Sequence, residues 1–245
     1  MSSYFWFVRG AEHAAMCQQS IDSVRRVDSR ARCFVVTDEQ QPAWEVDVGV
    51  YHMTSGQPIM LANLDAQVMA LGVAIPNEPV IFLDTDILLV RPIPIVAADL
   101  IVTWRDHVGM VDGEEVEGVA AQMPYNYGVL IADPNARVLE AFIWMRERIR
   151  KMHNGYKQWY GNQIALAELC GRKPATPPAG PEMRSIPWAP ASRPGYGISV
   201  AKVSCDVFNY TPQAEDEDIS SKVVLHFKGK RRDLMPAYAK RLGVA

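Results

Sequence analysis

Cysteine is scarce in this 245-residue chain. The four cysteines, Cys17, Cys33, Cys170 and Cys205, form no CxxC pair and no zinc-like spacing. They read as buried free thiols of a reducing compartment. Long apolar runs are also missing. The apolar opening, Met1 to Val8, stops at Arg9, too short for a signal peptide or a membrane span. No other run approaches bilayer length, so the sequence predicts a cytoplasmic protein without a membrane span. Excess charge is absent as well: 25 Lys and Arg against 28 Asp and Glu leave a net charge of −3. That balance gives no general drive towards nucleic acid or anionic lipid. Internal repeats are lacking, and so is a convincing linker.

What is present is ample apolar material, 49% of the residues, in an alternating pattern of short strands and longer helices. Tyr4 to Val8 is rich in aromatic and β-branched residues and predicts a first strand. Helical spacing follows from Ala11 to Val27 at Ala14, Cys17, Ile21 and Val24. Arg32 to Val36 predicts a second strand, Val46 to Tyr51 a third, and Pro58 to Leu71 a helix opened by its proline. Later strands are expected at Leu100–Trp104, within Tyr125–Ala132 and over Lys222–Phe227, with helices at Asn135–His153 and Asn162–Leu169. Such alternation predicts one α/β domain over 1–245, with a mostly parallel sheet covered on both faces. In such a sheet a ligand sits beyond the carboxyl ends of the strands, where the strand order reverses. Val8-Arg9-Gly10, Thr37-Asp38 and Asp84-Thr85-Asp86 are three such ends.

The third end is chemically unusual. In Val80-Ile81-Phe82-Leu83-Asp84-Thr85-Asp86-Ile87-Leu88-Leu89-Val90, two carboxylates interrupt an apolar run that reads as one buried strand. Two readings are open: Asp84 caps a turn while Asp86 faces water, or both share a cation. Apolar residues on either side favour the second, because buried neighbouring carboxylates repel unless a hard cation lies between them. Farther on, Asn126 and Gly128 stand inside an apolar strand pattern, and Pro174 to Pro194 holds seven prolines, an extended excursion suited to a lid or a plain connection. His226 is followed by Lys228-Gly229-Lys230-Arg231-Arg232, cations suited to phosphate oxygens, in a basic C-terminal segment over 228–245. Trp159, Tyr160, Trp188 and Tyr196 read either as core or as rings for stacking on a sugar. The acidic cluster from Asp112 to Glu117 reads as a solvated turn.

Taken in order, these stretches resemble the glycosyltransferases of the GT-A (Rossmann-like) fold, closest to the family of glycogenin and the bacterial lipopolysaccharide galactosyltransferases. Phe82-Leu83-Asp84-Thr85-Asp86 is similar to that family's aspartate-x-aspartate motif, and Tyr125 to Leu130 to its Phe-Asn-x-Gly-Val strand. Gly161-Asn162-Gln163 and His226-Phe227-Lys228-Gly229 resemble its Asp-Gln pair and C-terminal His-Phe-x-Gly. The resemblance implies a nucleotide-diphosphate sugar donor, a UDP-sugar, and a Mn²⁺ or Mg²⁺ ion held by Asp84, Asp86 and His226. It implies donor contacts from Val8, Arg9, Thr37, Asp38, Asp84, Thr85, Asn126, Gly128, Gly229, Lys230 and Arg232. Asn162, Gln163 and Asp86 are its implied catalytic residues, and hexosyl transfer to an acceptor hydroxyl its implied reaction. The acceptor class, whether saccharide, lipid, protein or nucleic acid, is left open.

The likeness leans towards retention of anomeric configuration; for inversion, Asp106 and Asp133 are candidate bases by residue type. Three departures stand out. Asn162 replaces the family's Asp, a Trp usual after the C-terminal motif is absent, and the helix from Pro58 to Leu71 carries no Lys or Arg. Asn63 or Gln67 could substitute there by hydrogen bonding. The competing expectation is a relative that binds a nucleotide sugar without turning it over. A nucleotidyltransferase is disfavoured, since Val8-Arg9-Gly10-Ala11-Glu12 is not a Gly-rich phosphate loop.

Overall fold

The structure, a computed structural model, describes residues 2–37, 48–52, 56–105, 110–111, 114–115, 124–170, 184–187 and 197–244. Strand β1 (Ser3–Val8) leads through helix α1 (Ala11–Val27) to β2 (Arg32–Thr37) and β3 (Val48–His52). Helix α2 (Ile59–Val73) precedes β4 (Val80–Leu83), β5 (Ile87–Leu89) and β6 (Leu100–Trp104). A small hairpin, β7 (Met110–Val111) with β8 (Glu114–Glu115), comes before the long strand β9 (Tyr125–Ala132). Helices α3 (Ala136–Arg150), α4 (Asn154–Gln158) and α5 (Gly161–Cys170) follow in series. Then come β10 (Arg184–Pro187), β11 (Ser199–Ser204), α6 (Cys205–Phe208) and β12 (Val224–His226). A 3-10 turn over Gly229–Leu234 opens into α7 (Met235–Arg241).

Eight strands form the main sheet in the order β10-β11-β6-β9-β4-β1-β2-β3. β3, β2, β1 and β4 run parallel, β9 runs against both β4 and β6, and β11 runs with β6. The sheet is therefore mostly parallel, as its strand–helix alternation predicts. Its strands are apolar on both faces because helices cover both. Phe5, Phe82 and Leu130 point to one side, against Leu64 of α2, Phe142 of α3 and Ile164 of α5. Their neighbours Tyr4, Trp6, Ile81 and Ile131 point to the other, in the same cluster as Cys17, Ile21 and Val24 of α1. The period of two thus survives inside runs that read as uniformly apolar.

The apolar run from Val80 to Val90 is not one strand. β4 ends at Leu83 and the chain turns at Asp84-Thr85-Asp86. β5 then pairs with β12 in a separate antiparallel ribbon. Burial and pairing continue through the break, which is why hydrophobicity alone does not reveal it. The proline-rich excursion is likewise interrupted by β10, paired with β11; residues 171–183 and 188–196 lie outside the described residues.

The far end of the sheet is held by Asp99. Its carboxylate accepts from the Ser199 N–H at 2.7 Å, the Ser199 hydroxyl at 2.8 Å and the Asn135 amide at 2.8 Å, and pairs with Arg137 at 3.2 Å. Burial works to raise its pKa, but these donors prevail and hold the carboxyl below the usual range. A lowered folded pKa gives stability that is complete above the unfolded value of about 3.9 and is lost as pH falls through the folded value. Asp99→Ala is therefore expected to cost about 2 kcal/mol at pH 7, roughly 4–8 °C in Tm, by thermal unfolding. The deficit should shrink as pH falls below about 4; a deficit independent of pH would contradict this assignment.

Candidate functional site

Beyond the carboxyl ends of β1 and β4 the backbone builds a corner. Val8 and Thr37, the last residues of β1 and β2, are register partners, and both are buried. The Asp84 N–H donates to the Gly128 carbonyl at 2.9 Å, and the Phe227 N–H donates to the Asp86 carbonyl at 2.8 Å. The first bond ties the turn to β9. The second, with the pairing of Ile87 and His226 across the β5–β12 ribbon, brings His226 over the turn. His226 Nε2 lies 3.1 Å from Asp86 Oδ1 and 3.5 Å from Asp84 Oδ2. One donor atom from each residue lies within 4.8 Å of the other two. Asp86 and His226 have side chains only 5% exposed, while that of Asp84 is 43% exposed and opens the site to ligands.

Gly128 forms the floor. A Cβ at this position would lie 2.3 Å from His226 Cε1, 2.5 Å from its Nδ1 and 3.0 Å from Asp84 Oδ2. Gly128 lies where the register between β6 and β9 shifts, between Val102 (opposite Leu130) and Thr103 (opposite Asn126), an irregularity of the kind that often borders active sites. The Asn126 side chain stabilises it by accepting from the Gly128 N–H at 3.0 Å.

The two carboxylates titrate apart. Partial burial pushes Asp84 up, and the neighbouring Asp86 adds to this while His226 opposes it. Burial acts on Asp86 in the same direction, but His226 and then Arg232 prevail and hold it below the usual carboxylate range. Arg232 donates from Nε to Asp86 Oδ2 at 2.8 Å. Two carboxylates and an imidazole converging on one small space form a hard-to-borderline donor set that suits Mn²⁺ or Mg²⁺. A cation there would relieve the repulsion between the two acids.

The crevice beside the triad is lined by Phe7, Val36, Asn63, Gln67, Asp84 and Tyr127. Of the two α2 amides, Gln67 is engaged, accepting from the Tyr127 hydroxyl at 2.6 Å. Asn63 Oδ1 is buried in the same crevice with no hydrogen-bond partner among the described residues. Arg9 donates to the Gln57 carbonyl at 2.7 Å, Thr85 is buried, and Asp38 lies outside the described residues.

On the other flank, Asn162 accepts from the Gln163 N–H at 2.8 Å, so its amide oxygen serves the start of α5. Gln163 Oε1 accepts from Arg105 at 2.9 Å, and Arg105 also donates to the Tyr125 carbonyl at 2.9 Å. That guanidinium, its pKa lowered chiefly by burial, links Gln163 to the start of β9.

The basic run divides. Gly229 and Lys230 are exposed, and Arg231 turns to Gln213 at 2.6 Å, whereas Arg232 reaches Asp86. Lys228 is half-buried. Burial, reinforced by Arg105, lowers its ammonium to about 8, although Cys205, Asp84 and Asp86 pull it back up. Asp133 is excluded as a base at this site. It follows β9, which runs antiparallel, so it lies beside the start of β4 and close to Asp99. Asp106, Trp188 and Tyr196 lie outside the described residues; Trp159 and Tyr160 are exposed, not core. No motif marks Arg105, Asn209 or Thr103, yet Arg105 bonds Gln163, Asn209 bonds His226, and Thr103 bonds Asn209.

No family model matches the chain, and no curated protein matches it by sequence. Solved structures do match. The glycosyltransferase GlyE of Streptococcus pneumoniae TIGR4 aligns with a TM-score of 0.58 and 12% identity, covering 98% of this chain and 60% of GlyE. The chain thus spans about 60% of GlyE's length. A glycosyltransferase involved in glycosylation of the PBCV-1 major capsid aligns at 0.55 and 12% identity, over 96% of this chain and 99% of its own. Galactosyltransferase LgtC, in complex with donor and acceptor sugar analogs, aligns at 0.54 and 13% identity, over 98% and 94%. At identities this low the likeness shows the fold alone, and the chain has the GT-A fold expected from its sequence.

Proposed function

We propose that this chain is a metal-dependent glycosyltransferase that moves a hexose from a UDP-sugar to an acceptor hydroxyl. The observation that carries the reading is the convergence of Asp84, Asp86 and His226 beyond the end of β4, beside the β1–β4 crevice. The GT-A fold shared with glycosyltransferases supports it. The cysteine set, with no CxxC pair, supports a cytoplasmic setting, and no described helix is long and apolar enough to cross a membrane.

In this reading Asp84, Asp86 and His226 hold Mn²⁺ or Mg²⁺, and a bound divalent ion supplies Lewis-acid stabilisation of charge developing on the departing diphosphate. The protein's own groups do the rest. Val8, Arg9, Thr37 and Thr85 border the nucleoside and ribose. The Asn63 carbonyl offers an acceptor in a helix that has no cation of its own. Half-buried Lys228, and Arg232 anchored on Asp86, add fixed positive charge on the diphosphate side. Gly229 and Lys230 extend that side outward. Gln163, oriented by Arg105, faces the sugar together with Asn126, Gly128 and Asn162. Arg232→Ala is expected to weaken UDP binding about tenfold with metal present, by titration calorimetry, since one charge-assisted contact is lost. An unchanged Kd would remove Arg232 from the donor site.

The direct test is UDP release from a panel of UDP-sugars with Mn²⁺, with EDTA, and with Mn²⁺ restored. Release that falls to background in EDTA and recovers supports the reading; equal release in EDTA overturns the metal dependence. One observation favours a second reading, a nucleotide-sugar binder without transfer: Asn162 spends its side-chain oxygen on the Gln163 N–H. Metal-dependent UDP binding with no turnover of any donor would select it.

A further inference from the structure

The inference rests on the metal role given to His226 above. That ring is held from behind. Its Nδ1 lies 2.7 Å from Oδ1 of Asn209, a residue only 2% exposed. Asn209 Nδ2 lies 2.9 Å from Thr103 Oγ1, and that hydroxyl lies 2.7 Å from the Asn126 carbonyl. A backbone carbonyl has no proton to give, so the polarity of the whole chain is set from this end. Thr103 donates to the carbonyl, and its oxygen is left to accept from the Asn209 amide NH₂. The Asn209 carbonyl therefore faces the imidazole, and Nδ1 carries the hydrogen. In the neutral ring, Nε2 then presents its lone pair to the space shared with Asp84 and Asp86.

We propose that Asn209, braced by Thr103, is a positioning residue that holds His226 as the Nδ1–H tautomer and commits Nε2 to a divalent cation. Three electron-rich atoms facing one another are unfavourable without a cation, so fixing the third increases the affinity of the first two for metal. Second-sphere partners of this kind orient a ligating histidine and raise its basicity, and losing one costs about 10–100-fold in metal affinity. The relay also joins distant parts of the fold. It runs from the end of α6 through β6 to Asn126 in β9, the strand segment whose irregular register carries Gly128. The histidine and the floor beneath it are thus set by one hydrogen-bonded frame. The backbone N–H of Asn209 bonds the Cys205 carbonyl at 2.9 Å, which fixes this end of the relay to α6.

The test is Mn²⁺ titration of the full chain, followed by the loss of the free-ion electron paramagnetic resonance signal, without nucleotide or sugar. Asn209→Ala is expected to bind Mn²⁺ about 10–100-fold more weakly than the wild type. Thr103→Val, which leaves Asn209 free to turn over, should fall between the two. Asn209→Asp keeps an acceptor on Nδ1 and should retain affinity within about threefold or tighten it, as carboxylate–histidine pairs do. Melting of the metal-free proteins controls for folding, and if Asn209→Ala fails to fold the other two variants decide. A residue needed only for packing would not separate Asn209→Ala from Asn209→Asp in this way. Equal Mn²⁺ affinity in folded wild type, Asn209→Ala and Thr103→Val would overturn the proposal. A wild type that binds no Mn²⁺ would instead overturn the metal reading beneath it.

Discussion

Gly128→Ala will abolish metal-dependent nucleotide binding while leaving a folded protein. The added methyl would sit 2.3 Å from His226 Cε1 and 3.0 Å from Asp84 Oδ2, well inside contact distance. The imidazole has no room to retreat, because Asn209 holds Nδ1 at 2.7 Å from behind and the ring lies within the β5–β12 ribbon. Either the ring or the β9 backbone must move, and the three ligand atoms then no longer converge. Overpacking of this kind costs about 1–3 kcal/mol in stability. The functional loss is expected to be larger, at least about 100-fold in transfer rate, since sub-ångström placement is what such a site depends on. Gly72→Ala is the matched control: an added Cβ there meets nothing within 4 Å, and Gly72 lies near the end of helix α2. It should be neutral or stabilising by up to about 1 kcal/mol, with full activity. Wild-type Mn²⁺ and UDP binding in Gly128→Ala would show that the triad does not act as one site.

Asp86→Asn will lower transfer by about a thousandfold. Asp86 is the most enclosed carboxylate of the triad, its side chain only 5% exposed and bound by both His226 and Arg232. The amide preserves shape and burial but removes the charge that a divalent ion requires. Loss of metal stabilisation of a leaving diphosphate is worth several kcal/mol, and each 1.4 kcal/mol is about tenfold in rate. The readout is UDP release at saturating donor and Mn²⁺, with circular dichroism confirming the fold. Residual activity that rises with Mn²⁺ concentration would mark weakened metal binding. Wild-type activity at low Mn²⁺ would remove Asp86 from the metal site.

The parts of this molecule that are legible in sequence are those written in short runs. Tyr4 to Val8, Arg32 to Val36 and Val80 to Leu83 announce parallel strands by composition, and Phe7, Val36 and Asp84, at or near their ends, line one crevice. Asp84, Asp86, Gly128 and His226 are each conspicuous for sitting where an apolar strand should continue. The break at Asp84-Thr85-Asp86 was hidden because β5 remains fully buried after it, in a different sheet. Arg105 looked like any charged residue after a strand; only the fold brings Gln163 to it. Thr103 and Asn209 stand 106 residues apart in the chain, and side-chain hydrogen bonds across such distances leave no local period. The basic run after His226 shows the same limit from the other side. Composition treats its members alike, whereas the turn over Gly229–Leu234 sends Arg231 to Gln213 and Arg232 to Asp86. Asp133 was a candidate by residue type alone, and the antiparallel course of β9 carries it to the wrong end of the sheet.

The first measurement to make is calorimetric titration of UDP into the wild-type protein, once with Mn²⁺ and once with EDTA. Saturable binding that appears only with Mn²⁺ is the result expected of a metal site at Asp84, Asp86 and His226 that receives a nucleotide diphosphate. UDP binding of equal strength in EDTA, or none in either condition, would contradict it.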